Sequence, residues 1–243
     1  MGESKSSLVS SRVDEHGRAL KGSQLQVQIY VNRRSEQLES EIRGELPTLD
    51  VAAAKITWVS PLEKRLFAEY QDRAFLEALG LGHLHSKLRD FWPSRGPVWD
   101  GLARLTLDGG EVGVLLLEGK SYPKELYGGG CAAKAEKSRQ MIRSALEQTQ
   151  GWLGLSPLGV EAWLGPLYQS ANRLAYLYFL REIVGVPAWL VHTCFTDDVA
   201  HVPVEKDDWR QGLEDVDRKL GLTEASPYAG AVFLRALERV ELL

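Results

Sequence analysis

The chain has 243 residues, 44% of them hydrophobic and 26% charged, which suffices for one substantial core or at most two small domains. Its formal net charge is −4 and its pI is near 5.8. No global basic character advertises nucleic acid, so any such contact must use a local patch. The two cysteines, Cys131 and Cys194, stand in no CxxC or Cys/His cluster, which argues against structural zinc and a disulfide framework.

The first eleven residues are polar and lack the apolar stretch of a signal peptide. No apolar run approaches the ~20 residues of a membrane span. A cytoplasmic protein with no membrane partner is expected. Residues 1–22 read as a flexible tail and 23–243 as a single domain, since no Pro/Gly-rich linker divides the middle.

In chain order, residues 24–32 alternate, with Leu25, Val27, Ile29 and Val31 on one side, and predict a strand. A short helix follows over 35–43, then a strand over 55–59. Residues 63–79 predict a helix, because Leu66, Phe67, Tyr70, Phe75, Leu76 and Leu79 recur at helical spacing. Another short helix is expected over 83–91. Residues 101–108 and 112–117 flank Asp108-Gly109-Gly110 and predict a hairpin. The second arm is almost wholly apolar, as in a strand buried on both faces.

Helices are then expected over 132–149 and from about 161 or 166 to 184, a strand over 187–195, and helices over 207–220 and 227–242. This order favours an α/β fold, an α/β/α sandwich with a mixed central sheet. The long crossover between the 112–117 and 187–195 strands suits a parallel or returning strand.

The apolar arm ends in Glu118-Gly119-Lys120. Residues two apart in a strand share a face, so Glu118 and Lys120 stand side by side. Asp100 starts the other arm and lies roughly opposite. Two carboxylates beside an ammonium suit a hard cation such as Mg²⁺, with Lys120 free to position water or neutralise a phosphate. The plainer alternative is a turn residue at Asp100 and a same-face salt bridge between Glu118 and Lys120.

These residues resemble the PD-(D/E)xK nuclease superfamily, which has the restriction-endonuclease-like fold. Val98-Trp99-Asp100 stands as the first motif, Glu118-Gly119-Lys120 as ExK, and the helix from Ala132 follows. The likeness spans about residues 63–198. It implies that Asp100 and Glu118 bind a divalent metal, Mg²⁺ or Mn²⁺, and that Lys120 is catalytic. It also implies DNA as the nucleic-acid partner, and a homodimer is an assembly many such nucleases adopt. The chain departs from the pattern at Trp99, where the family has proline, and at Gly119, which offers no side chain.

Around this core, Glu69 is the better candidate for a further metal-binding acid upstream, with Asp72 behind it, although both suit a solvated helix face. Glu125 suits a turn cap. Gln169, Asn172 or Arg173, and Tyr176 form a polar stripe on an otherwise apolar helix, and buried amides need partners. Gln169 is a candidate to orient Lys120, Glu118 or water, and Arg173 to reach a phosphate. An internal hydrogen-bond network is the even alternative.

The Gly128-Gly129-Gly130 loop opens the 132 helix, with Lys134, Lys137 and Arg139 in its first turns. That combination could meet a phosphate, or form a flexible loop and a solvated basic face. The loop lacks the P-loop pattern. His83 and His85 suit a surface turn, His192 suits a core strand, and Trp152, Trp163, Trp189 and Trp209 suit packing. The expected function is a metal-dependent nuclease. The alternative is a nuclease-like fold with weak or no catalysis, used as a binding or regulatory module.

Overall fold

The computed structural model describes residues 12–155 and 159–243. The chain is α/β, with a five-stranded mixed sheet in the order β1-β2-β3-β4-β5. The strands are β1 (Ala53–Ser60), β2 (Gly101–Leu107), β3 (Val112–Lys120), β4 (Ala188–Thr196) and β5 (Ala229–Arg235). The first three pair antiparallel and the last two join in parallel.

One face is covered by α1 (Gly22–Arg33) and α2 (Ser35–Glu45), and α3 (Pro47–Ala52) leads into β1. Val27, Tyr30, Leu38 and Ile42 pack there against Leu115, Leu117, Val191 and Phe195. The other face carries α4 (Asp72–Ala78), α5 (His85–Phe91), α6 (Glu136–Trp152), α7 (Glu161–Leu164), α8 (Tyr168–Tyr178) and α9 (Lys206–Leu220). Their apolar sides close on Val114, Leu116, Leu190 and Cys194. Period-two alternation in β3 and β4 therefore feeds two separate cores.

The segment expected as a strand over 24–32 is helix α1. Its alternation misleads because Gln26 and Gln28 are themselves buried, so the helix has little polar face to show. Both amides are satisfied. Gln26 Nε2 donates to Leu237 O and its Oε1 accepts from Leu237 N–H, each at 2.8 Å; Gln28 Oε1 accepts from Ala19 N–H, also at 2.8 Å. Of the expected tail, residues 1–11 lie outside the described residues. Residues 12–20 turn back on themselves through a Val13–Ala19 bridge, and Ala19 is fully buried.

The helix expected over 63–79 is broken. Leu66 and Phe67 adopt left-handed backbone (φ 51 and 55), and only Asp72–Ala78 is α-helical. Between them the chain runs extended, and Trp99 N–H donates to Tyr70 O at 3.1 Å. Phe67 is buried while Leu66 points to solvent, so the helical spacing of 63–67 was fortuitous. The expected C-terminal helix is instead β5 and a short 3-10 turn (Arg239–Leu242). Val232 and Leu234 face inward from β5, a period-two signal too short to outweigh the surrounding Ala, Leu and Glu. The crossover helix is also interrupted, with α7 ending at Leu164 and α8 passing into a wider π turn over Phe179–Ile183. Among the described residues no helix is long and apolar enough to cross a membrane.

Candidate active site

The site lies at the C-terminal end of β3. Because β3 is central and paired on both sides, Glu118 and Lys120 are only 2% and 6% exposed. Charges at such depth must be paired or bound. Lys120 Nζ donates to Glu118 Oε1 at 2.6 Å, and Gln169 Nε2 donates to the same oxygen at 2.9 Å. Arg173 Nε donates to Glu118 Oε2 at 2.6 Å. Burial alone would raise the Glu118 carboxyl, but the Arg173 and Lys120 charges outweigh it and hold it at about 2.

Asp100 stands just before β2, whose Gly101 faces Leu117 in the ladder. Its Oδ2 accepts from Gly119 N–H at 2.8 Å, so Asp100 is fixed to the strand that carries Glu118. Burial, then the Glu118 charge, pushes the Asp100 carboxyl up to about 8, and Glu69 adds to the repulsion. Glu69 lies on the extended stretch beside Trp99 rather than on a helix. Burial raises its carboxyl, with a contribution from Glu118.

Gln24, in the first turn of α1, donates from Nε2 to Glu69 Oε1 at 2.9 Å. This contact joins residues 45 apart in the chain, so the alternation over 24–32 carries no sign of it. Gly119 has a packing reason. A Cβ there would stand 2.7 Å from Val27 Cγ2 and 3.4 Å from Ser23 Cβ, so glycine is what lets the start of α1 settle over the strand end.

α8 supplies the other wall. Gln169 meets Glu118, one of the three partners considered for it, in a bond that an internal network would also make. Arg173 is buried and turned inward rather than toward solvent. Besides Glu118, its Nη1 donates to Asn172 Oδ1 at 2.9 Å and its Nη2 to Val98 O at 3.0 Å, and its guanidinium lies 4.8 Å from the Trp99 ring centroid. Arg173 thus ties α8 to both halves of the motif through three of its five N–H donors. Lys134, Lys137 and Arg139 are exposed and make no ion pair with a described residue. Lys134 precedes α6, and the glycines do not open that helix. Gly128 N–H donates to Pro166 O and Cys131 N–H to Leu164 O, which ties the loop to the chain just before α8. Glu125 Oε2 accepts from Ser121 N–H at 2.7 Å, the turn-capping role.

A carboxylate offers about four lone-pair positions. Glu118 uses three of them, and Asp100 Oδ1 and Glu69 Oε2 make no hydrogen bond to a described residue. Asp100 Oδ1 and Glu69 Oε2 are therefore the oxygens that could take a hard cation such as Mg²⁺, whose sites need only one or two protein carboxylates. Among the described residues no three His, Cys, Asp or Glu side chains gather closely enough to cage a metal by themselves. The chain matches no protein-family model, no curated protein and no solved structure.

Proposed function

We propose that the chain is a Mg²⁺- or Mn²⁺-dependent phosphodiesterase acting on nucleic acid, DNA foremost, on a restriction-endonuclease-like fold. One observation carries this. Asp100 is held on the Gly119 amide, between Glu118 and Lys120 at the end of one buried strand, and Gln169 of the crossover helix donates to Glu118. The mixed sheet with helices on both faces supports the finer fold assignment.

In this role Asp100 and Glu118 hold the metal, and Gln24 steadies Glu69 behind them. Lys120, freed from part of its bond to Glu118, holds the attacking water or the phosphoryl oxygen on which charge develops. A bound divalent ion would polarise that oxygen and lower the pKa of its water. Gln169 and Arg173 keep the Glu118 carboxylate oriented, as outer partners of metal ligands do.

The second function, a catalytically weak binding module, is favoured by one observation. Both Glu118 oxygens already carry cationic donors, so the pair can be self-sufficient. Calorimetric titration of Mn²⁺ into wild type and Asp100→Ala separates the two. A metal enzyme binds Mn²⁺ saturably and loses that binding with Asp100→Ala. A binding module takes up no Mn²⁺ in either form.

A further inference from the structure

We propose that the outer edge of β5 is a docking surface for a second copy of this chain, β5 pairing antiparallel with β5 about a two-fold axis at Ala231. β5 is the last strand of the sheet and pairs with β4 alone among the described residues. Leu190 N–H donates to Tyr228 O at 2.9 Å, and Ala236 N–H donates to Thr196 O at 2.8 Å. In a parallel ladder this turns the even-numbered residues of β5 toward β4. The N–H and C=O groups of Ala229, Ala231, Phe233 and Arg235 therefore point away from the sheet.

The Arg235 carbonyl is taken, since Tyr30 Oη donates to it at 2.8 Å. From Ala229 to Phe233 the edge is open. Ala229 and Phe233 make no outward backbone hydrogen bond to a described residue. Ala231 N–H has only a long contact, 3.4 Å to Oε1 of the exposed Glu45.

The opposite edge of the sheet is blunted and this one is not. β1 carries register shifts against β2 at Ala53/Lys55 and Trp58/Ser60, and Lys55 is exposed there. Bulges and edge lysines keep other strands away. β5 holds one unbroken register with β4 from Ala229 to Arg235 and has no charged residue before Arg235. Such an edge accepts an added strand.

Self-complementarity makes that strand a second copy. The open run is centred on Ala231. An axis there sets Ala231 against Ala231 and Phe233 against Ala229 of the other copy, each pair exchanging two backbone bonds. Opposed side chains share a face, so each phenyl ring meets an alanine. Ala229 and Phe233 both lie on the face that carries α9. There a groove of about 800 Å³ runs between β5 and α9, with Ala229 and Ala231 in its floor. The pairing uses the β5 edge of both copies, so the assembly closes at two. It does not rest on the nuclease function proposed above, since Glu118 lies on β3, two strands further in.

Sedimentation of wild type, Ala231→Pro, Ala231→Lys and Glu45→Gln tests the pairing. Wild type at about 100 μM, above the micromolar dissociation constants of weaker standard-size interfaces, should sediment as a dimer. Ala231→Pro removes the central outward N–H at an edge position where proline is tolerated. Ala231→Lys sets two ammonium groups against each other at the axis. Each should weaken association by about tenfold or more, the scale of one or two lost hydrogen bonds. Glu45→Gln relieves two carboxylates that approach each other near the axis. It should tighten association about threefold, the scale of one exposed charge pair, a gain that no loss of folding imitates.

Hydrogen exchange of wild type locates the contact. The Ala229 and Phe233 amides should be protected at about 100 μM and exchange freely in the monomer obtained by dilution. A wild-type monomer at that concentration overturns the proposal and leaves the edge to an extended segment of another protein. A larger assembly, a dimer that both Ala231 variants leave intact, Glu45→Gln associating no more tightly than wild type, or edge amides unprotected in the dimer would each overturn it as well.

Discussion

Arg173 Nε lies 2.6 Å from Glu118 Oε2, and the same guanidinium reaches Val98 O at 3.0 Å. One side chain of α8 thereby fixes the carboxylate at the end of β3 and the backbone just before Asp100. The pair is buried on both sides, where its attraction offsets a large desolvation cost only while both partners are present.

Removing one partner should therefore be severe. Arg173→Ala is expected to destabilise the fold by about 3–5 kcal/mol, because it strands a buried carboxylate. Arg173→Lys should lose less, since it keeps the charge but cannot serve Glu118, Asn172 and Val98 together. Urea unfolding of the three proteins gives the order. Equal stability of Arg173→Ala and wild type would show that the pair contributes nothing.

Gly119→Ala tests the contact between α1 and β3. Its Cβ would meet Val27 Cγ2 at 2.7 Å, and overpacking of this kind costs about 1–3 kcal/mol. Val27→Ala in the same chain should recover part of that loss by opening the space. Thermal melts of the single and double variants check it. A double variant no more stable than Gly119→Ala would place the strain elsewhere.

Gln24→Ala should weaken Mn²⁺ binding about tenfold, the effect of losing an outer partner of a metal-binding acid. Stability should fall by only about 1 kcal/mol, since the lost bond is a single half-buried one. Mn²⁺ affinity unchanged in Gln24→Ala would remove Glu69 from the metal site.

His192 gives the pH dependence of stability. Burial holds its imidazole down at about 4, below the ordinary value near 6.5. Between these values the unfolded chain binds a proton that the folded chain refuses. Stability contributed by the neutral ring is thus complete above about pH 6.5 and is lost as pH falls toward 4. His192→Asn should flatten that part of the stability–pH curve. A curve of unchanged slope between pH 6.5 and 4 would mean the ring is protonated in the fold.

What the sequence made legible followed from periodicity. The hairpin, the Glu118–Lys120 face and the opposition of Asp100 need only alternation of two and a Gly-Gly turn, and all three are present. Gln169 was legible because a polar residue on an apolar helix must find a partner. The elements that misled are those where burial erased the pattern. α1 hides Gln26 and Gln28 inside, so its glutamines read as the outer face of a strand. Leu66 and Phe67 break a helix through backbone angles that no side-chain spacing records. In β5 only Val232 and Leu234 carry the strand signal. Glu69 was named on helical grounds and reaches the site because the helix is absent. Gln24 belongs to a contact between distant segments, which no local pattern encodes.

Cleavage of plasmid DNA, single-stranded DNA and RNA by wild type and Lys120→Ala, each with Mg²⁺ or Mn²⁺ and again in EDTA, is the most direct test of the proposed chemistry. Wild type should cut only when metal is present. Lys120→Ala should be slower by about 10²–10³-fold, the scale for losing one group that stabilises developing charge. Cleavage that persists in EDTA, or that Lys120→Ala leaves unchanged, would contradict catalysis at this strand end.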